Sequence, residues 1–181
     1  MNEFNFELVY KLKNGEDPEA YLDTLFEAGC DDALVGVGNV GYIELNYTCE
    51  ASKSQQTFVE AIKKVKKAIP HAVLEKAEPY LLNSTELAFY FGFTKQNMRK
   101  YTRNKSSINH PFPVPAVSGK TSYWYLYEVA VWFTENTDHK FEKNHLMALK
   151  TVVGLNRAIE SQRLHFSDSE EKHYTDVLQR A

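Results

Sequence analysis

The chain has 181 residues, 43% of them hydrophobic, and a formal net charge of −3 at pH 7. This is enough apolar material for one large domain or two small ones. Its two cysteines, Cys30 and Cys49, cannot build a disulfide framework and form no C-x-x-C pair. The charged, alternating N-terminus does not resemble a signal peptide, and no run approaches the roughly 20 apolar residues of a membrane helix. We therefore expect a cytoplasmic protein that does not enter a membrane.

The charges are distributed unevenly along the chain. Residues 1–82 contain 8 Lys and Arg against 14 Asp and Glu, and residues 126–181 contain 7 against 9. Residues 83–125, in contrast, contain 6 Lys and Arg and a single acid. A basic segment between acidic flanks indicates a surface for a polyanion such as nucleic acid.

The first part of the chain predicts an association domain over residues 1–81. Period-two alternation predicts a strand at NFELVYKLK, and Asp17, Pro18 and Gly29 bound a helix whose buried face we expect at Ala20, Leu22, Leu25, Phe26 and Ala28. DALVGVGNVGYIELNYT predicts two strands, SKSQQTFVEAIKKVKKAIP an amphipathic helix, and HAVLEKAEPYL a fourth strand. The order β-α-β-β-α-β predicts a ferredoxin-like α+β domain.

Residues 82–136 predict two short helices, a tight turn and a small hairpin. Asn83 and Glu86 form a capping-box pattern, Gly92 ends the first helix, and Thr94 can cap the second. Residues 114–117 and 122–125 predict hairpin strands around the SGKT turn, and YEVAVWFTEN predicts a closing helix. The remaining residues, 137–181, predict a helical tail with one long and one short helix.

The second short helix carries the side chains that DNA recognition requires. A groove-binding helix needs Arg, Lys, Gln or Asn facing outward to reach phosphates and base edges. The segment supplies Lys95, Gln96, Asn97, Arg99, Lys100, Arg103 and Lys105, while Met98 and Tyr101 share the opposite face. The alternative is an ordinary solvated helix, which most charge runs are. The preceding helix, the glycine turn and the scarcity of acids favour DNA binding.

TELAFYFGFTKQNMRKYTR followed by FPVPAVSGKTSYWYLYEVAVWF resembles the winged helix-turn-helix of the excisionase and MerR type. The resemblance lies in the Thr-Glu-Leu-Ala opening, the aromatic-Gly turn, the mid-helix Arg and the Phe-Pro entry to the wing, over roughly residues 82–135. It implies that the second helix enters the major groove and that the wing contacts backbone. The implied contacts are Thr94, Lys95, Gln96, Arg99, Lys100, Arg103 and, on the wing, Lys120. MerR proteins carry a coiled-coil and effector segment after the winged helix-turn-helix. In this chain a βαββαβ-like domain precedes it instead, so the resemblance does not imply metal or drug sensing of the MerR type.

The other sequence motifs do not indicate a nucleotide-binding, metal or catalytic site. GVGNVG fits G-x-G-x-x-G, but the strand-like YIELNYT follows where a dinucleotide site needs a helix, so the glycines fit a hairpin better. The six histidines are scattered and show no metal-ligand spacing. A ferredoxin-like fold can host acylphosphatase chemistry, which needs an arginine to bind phosphate. The first arginine of the chain is Arg99, so residues 1–82 lack that residue. We expect no catalytic residue, no metal and no cofactor.

The expected partner is double-stranded DNA, bound by a homodimer because two half-sites raise affinity. We then expect a bacterial-type regulator that represses transcription of its own operon. Size and layout alone suggest an antitoxin, with a toxin or another protein as second partner. The alternatives are an excisionase-like architectural protein that bends DNA, a regulator that senses a small molecule through residues 1–82, and a protein-interaction module that binds no DNA.

Overall fold

A computed structural model describes residues 3–13, 15–103 and 110–180. Over these ranges the protein is a mixed α+β structure with a four-stranded antiparallel sheet, a two-stranded sheet and several helices. Lys105, part of the predicted basic set, lies outside the described residues.

The four-stranded sheet and two helices occupy the N-terminal part. Its strands are β1 (Glu3–Lys11), β2 (Ala33–Gly36), β3 (Tyr42–Glu50) and β4 (Val73–Glu78), and its helices are α1 (Leu22–Glu27) and α2 (Ser54–Ala68). The spatial order is β2-β3-β1-β4, and every neighbouring pair is antiparallel. The sequence order of these elements is the predicted β-α-β-β-α-β.

The core of this part follows from the alternation in β1 and the spacing in α2. Phe4, Phe6, Leu8 and Tyr10 of β1 are buried, and the ring of Phe6 lies 3.9 Å from that of Phe58 on α2, measured between centroids. Burying apolar side chains contributes about 25 cal/mol for each Å² removed from water, so this face holds the helices on the sheet.

The predicted buried face of the first helix is largely wrong. The chain forms a 3-10 turn at Pro18–Tyr21 before α1, with Asp17 as the predicted cap. Of the five predicted positions only Leu25 is buried, while Phe26 is 69% exposed. The change from three to 3.6 residues per turn between the two helices shifts the side-chain directions that a single α-helical period assumes.

The basic segment contains α3 (Ser84–Tyr90), α4 (Lys95–Thr102) and α5 (Leu126–Asn136), with β5 (Leu81–Asn83) paired antiparallel to β6 (Tyr123–Tyr125). The hairpin at residues 114–125 is less regular than predicted, because residues 114–116 form no strand and only an isolated bridge joins Val117 to Tyr123. β6 pairs with β5 instead, since three closely spaced prolines, Pro111, Pro113 and Pro115, limit the backbone donors of the first arm.

The last elements are α6 (Lys143–Leu164) and α7 (Asp168–Arg180). The first half of α6 packs against β4 and α5, and its Asn156 is buried. The Asn156 amide donates to the Ala77 carbonyl at 2.7 Å, and its oxygen accepts from the Ala77 N–H at 3.0 Å. This side chain satisfies backbone groups on the outer edge of β4 and so protects that edge from pairing with another chain.

Candidate nucleic-acid interface

The helix α3 is fixed at its start by the predicted capping box. The Asn83 side-chain oxygen accepts from the N–H groups of Thr85 and Glu86, at 2.9 and 3.1 Å, and the Glu86 carboxylate accepts from the Asn83 N–H at 2.8 Å. These bonds satisfy donors that a helix start otherwise leaves free. They also engage Glu86, the acid of residues 83–125, with the backbone.

A glycine turn reverses the chain between α3 and α4. Gly92 has φ +67°, a conformation that glycine adopts without the steric cost that other residues meet. The Thr94 hydroxyl then accepts from the Asn97 N–H at 3.1 Å and caps α4 as predicted. The turn and both caps therefore hold the two helices in a defined relation.

The inner face of α4 is anchored in an aromatic core. Met98 is fully buried, and the Tyr101 ring packs edge-on against Phe133 of α5 at 5.0 Å between centroids. Phe112 lies 5.0 Å from Trp132 in the same cluster. Packing of this kind fixes the rotation of a short helix, so its opposite face points to solvent in a defined orientation.

The structure brings most of the predicted contact residues to one surface. Thr94, Lys95, Gln96, Arg99, Lys100 and Arg103 are exposed, and Asn97 is half-buried behind the cap. Asn97 is therefore the least accessible of the predicted contact residues that the structure describes.

The cations of this surface form no ion pair with any residue that the structure describes. Within the described residues, ion pairs involve Lys53, Lys64, His71, Lys76 and Arg163, and Lys95, Arg99, Lys100, Arg103 and Lys120 take part in none. Unpaired and exposed guanidinium and ammonium groups retain their full capacity to bind phosphate.

Lys120 lies at an exposed turn of the loop between Val117 and Tyr123. Two bonds between Val117 and Tyr123, at 2.9 and 3.2 Å, close the loop that holds it. The Trp124 indole N–H donates to the Pro113 carbonyl at 2.9 Å and ties the incoming arm to β6. Lys120 thus lies on a tethered loop rather than a free one.

Two acids beside the inner end of α4, Glu135 and Asp138, were not predicted from the sequence. Glu135 and Asp138 line an open depression of about 490 Å³ together with Tyr101. They follow α5 in sequence, so a count over residues 83–125 excludes them. Because Tyr101 lies on the inner side of α4, they limit the positive surface on that side.

Two polar clusters lie in the N-terminal part. Glu16 accepts from the His71 ring at 2.9 Å, and this hydrogen bond lowers the pKa of the Glu16 carboxyl. Cys30 is buried below Tyr47, and burial raises the pKa of its thiol. In the described ranges no three His, Cys, Asp or Glu side chains converge on a point where a metal could bind.

Comparisons of the chain with protein-family models, with curated proteins and with solved structures find no match. Among the helices described here, none has both the length and the apolar content to cross a bilayer.

Proposed function

We propose that this protein binds double-stranded DNA through α4 and the wing and regulates transcription. The observation that supports this most directly is the row of exposed, unpaired cations on the outer face of a helix whose inner face is rigidly packed. An α-helix with its side chains is roughly 10–12 Å in diameter, which a major groove about 12 Å wide admits.

The proposed fold assignment is a winged helix-turn-helix over residues 82–136 after a ferredoxin-like association domain over residues 1–81, with 137–181 as the C-terminal helical part. The β2-β3-β1-β4 order and the β-α-β-β-α-β succession support the first assignment. The α3–turn–α4 unit, followed by a bridged loop and β6, supports the second.

The contact residues divide by chemistry into two groups. Lys95, Lys100 and Lys120 offer point charges for phosphates, whereas Arg99 and Arg103 can bind phosphate or guanine in a bidentate manner. Gln96 can pair bidentately with adenine. Thr94 and Asn97 cap and order the start of α4, which is the end that approaches the bases in helix-turn-helix proteins.

In the proposed role, a cytoplasmic homodimer occupies a short operator and represses its own gene. A winged unit with few phosphate contacts gains affinity from a second copy on an adjacent half-site. The N-terminal part is the proposed contact for a protein partner, such as the toxin of a toxin–antitoxin pair.

The test is fluorescence anisotropy with the DNA upstream of the protein's own gene and a scrambled duplex, over a salt series. We expect tight binding to the upstream DNA that weakens steeply with salt. Arg99→Ala should weaken it by roughly 1–3 kcal/mol. Lys63→Ala, which removes an exposed cation from α2, is the matched control and should bind like the wild type.

Three other outcomes are informative. Equal, salt-dependent binding to both duplexes, with a strong bend, favours the architectural alternative. Equally weak binding with no effect of Arg99→Ala means that α4 is a solvated surface and that the DNA proposal is wrong. Stabilisation of the chain by a metabolite, without DNA binding, points to sensing.

A further inference from the structure

The two outer strands of the four-stranded sheet differ in how their edges are covered. At β4 the Asn156 side chain of α6 donates to the Ala77 carbonyl and accepts from the Ala77 N–H, at 2.7 and 3.0 Å. At the other side of the sheet, β2 pairs with β3 alone. In the described ranges the one further backbone bond of this strand joins the Ala33 N–H to the Cys30 carbonyl, at 3.2 Å. The outer edge of β2 therefore offers backbone donors and acceptors for another strand.

The sequence of β2 contains no residue that repels a second strand. Native edge strands are protected by charged side chains, by proline, by a bulge or by being short. β2 is short, at four residues, but Ala33–Gly36 contains no charge and no proline and keeps an unbroken register with β3. Its Leu34 side chain is 75% exposed. The strand thus combines an open backbone edge with an apolar side chain beside it.

The construction of the sheet identifies a second copy of the chain as the strand that fits this edge. A single foreign strand added to β2 would itself become an outer strand with an open edge. A second β2, added antiparallel about a two-fold axis, joins two four-stranded sheets into one of eight strands. Both outer strands of that sheet are β4, which α6 covers. Association therefore closes at two copies, as a symmetric dimer requires.

The alternation of side chains determines the register of this pairing. Leu34 lies opposite Asn46 of β3, on the sheet face that α1 and α2 leave open, whereas Val35 lies opposite the buried Leu45. Directly opposite residues of antiparallel strands point to the same face. Leu34 should therefore lie opposite Leu34 of the second copy, with Ala33 opposite Val35, so that both pairs are apolar.

The charged groups near the edge favour the antiparallel direction. Asp32, just before β2, pairs with Lys64 of α2 at 3.3 Å, and the Glu44 side chain of β3 lies beside Gly36. In the antiparallel register Asp32 of one copy approaches Gly36 of the other, so Glu44 meets an ion pair and not a bare carboxylate. Parallel strands would instead place the two Asp32 side chains next to each other, which like charges disfavour.

We propose that β2 is a homodimer interface, at which the β2 strands of two copies pair antiparallel and continue the sheet across a two-fold axis. The inference rests on the homodimer of the proposed function and gives that dimer a surface. It uses no contact with DNA, so it is tested without DNA.

The test is the mass of the full chain in solution, measured by light scattering and sedimentation over a wide concentration series. We expect the wild type to form a dimer of twice the chain mass. Leu34→Lys should weaken association roughly tenfold or more, because it removes the apolar pair and places two like charges opposite each other. Val73→Lys is the matched control, since Val73 is 56% exposed on β4, and it should leave the dimer unchanged. Circular dichroism checks that both variants fold.

A cross-link makes the test specific to the antiparallel register. Leu34→Cys should yield a disulfide-linked dimer under mild oxidation, because the two Cβ atoms would lie only about 4.5–5.5 Å apart. Val73→Cys contains the same native thiols, Cys30 and Cys49, and should remain unlinked on a non-reducing gel.

A wild type that is monomeric at every concentration overturns the proposal and leaves the β2 edge to a strand of another protein. Lysine variants that associate equally well also overturn it, as does a Leu34→Cys chain that forms no linked dimer. Because no DNA is present, these results stand whether or not α4 binds DNA, and a failure here leaves the anisotropy test of α4 unaffected.

Discussion

The two basic helices of this protein, α2 and α4, have the same number of clustered cations and opposite surroundings. These are Lys63, Lys64, Lys66 and Lys67 on α2, and Lys95, Arg99 and Lys100 on α4 together with Arg103 at its C-cap. On α2, Lys64 lies 3.3 Å from Asp32, and the Lys66 ammonium donates to the Ala72 carbonyl at 3.1 Å. The α4 cations have no such contacts within the described structure.

The two clusters therefore differ in the groups that contact their cations and not in the number of cations. α2 belongs to the acidic residues 1–82, where neighbouring carboxylates can neutralise its lysines. α4 belongs to the basic residues 83–125, where the one acid already binds the backbone at Asn83. The α2 stripe therefore fits a solvated face, and the α4 face has charge available for an external anion.

The comparison is tested most strongly by removing four charges from either helix. One variant changes the four α4 cations to Gln, and the other changes the four α2 lysines to Gln, so both alter the net charge equally. We expect the α4 variant to lose up to roughly 3.6 units of the slope of log K against log salt, at about 0.9 for each phosphate contact. The α2 variant should keep the wild-type slope.

Anisotropy titrations over the salt series provide this measurement, with circular dichroism to check folding. Equal losses in the two variants would mean that net charge alone drives binding and that the two helices do not differ. A steeper loss for the α2 variant would transfer the proposed interface to the N-terminal part.

The second prediction separates the two faces of α4. Met98 is fully buried below the basic face, so Met98→Ala should lower the free energy of unfolding by about 2–5 kcal/mol through lost burial and a cavity. Lys100→Ala on the exposed face should change it by less than about 0.5 kcal/mol. Urea denaturation followed by circular dichroism measures both. Similar losses would mean that α4 is not oriented as described.

The sequence predicted the local features of residues 83–103 because short-range chemistry determines them. Asn83, Glu86, Gly92 and Thr94 lie within a few residues of the groups they contact, so the caps and the turn follow from spacing alone. The exposed face of α4 follows equally from helical periodicity around Met98. These parts of the candidate site needed no knowledge of tertiary contacts.

Other features depend on distant residues and were not predictable from spacing. The pairing of β6 with β5 joins segments about forty residues apart, and Asn156 binds Ala77 from a helix 79 positions later. The acids Glu135 and Asp138 approach Tyr101 through the packing of α5. No local pattern distinguishes Asn156, Glu135 and Asp138 from solvent-exposed polar residues.

The third prediction concerns the cap that orders α3. Asn83→Ala removes the oxygen that accepts from two backbone N–H groups, and we expect a loss of about 1 kcal/mol in the free energy of unfolding. Asn83→Asp keeps an acceptor and should recover most of it. If the alanine variant is as stable as the wild type in urea denaturation, the capping box does not stabilise this region in solution.

The smallest expected effect concerns His145 of α6, which contacts both the N-terminal sheet and α3. Its ring lies 5.3 Å from that of Phe4 in the sheet, and its Nε2 shares a hydrogen bond of 2.7 Å with the Tyr90 hydroxyl of α3. Burial lowers the pKa of His145 below its ordinary value of 6.5. In the unfolded chain the His145 imidazole therefore takes up a proton near pH 6.5, whereas in the folded chain it does so only at lower pH.

The contribution of His145 to the free energy of unfolding should consequently be fully present above pH 6.5. It should be lost as the pH falls from 6.5 to the folded pKa of His145. His145→Gln should remove this part of the acid dependence, a change of roughly a few tenths of a kcal/mol because the partly solvated ring is screened. His110→Gln, at an exposed position, is the control and should retain the wild-type dependence. Urea denaturation at several pH values and NMR titration of the imidazole signals measure the two quantities separately. A His145 signal that titrates at or above 6.5 in the folded protein would mean that the N-terminal sheet and α3 do not enclose this ring, and that they meet less closely than the Phe4 and Tyr90 contacts indicate.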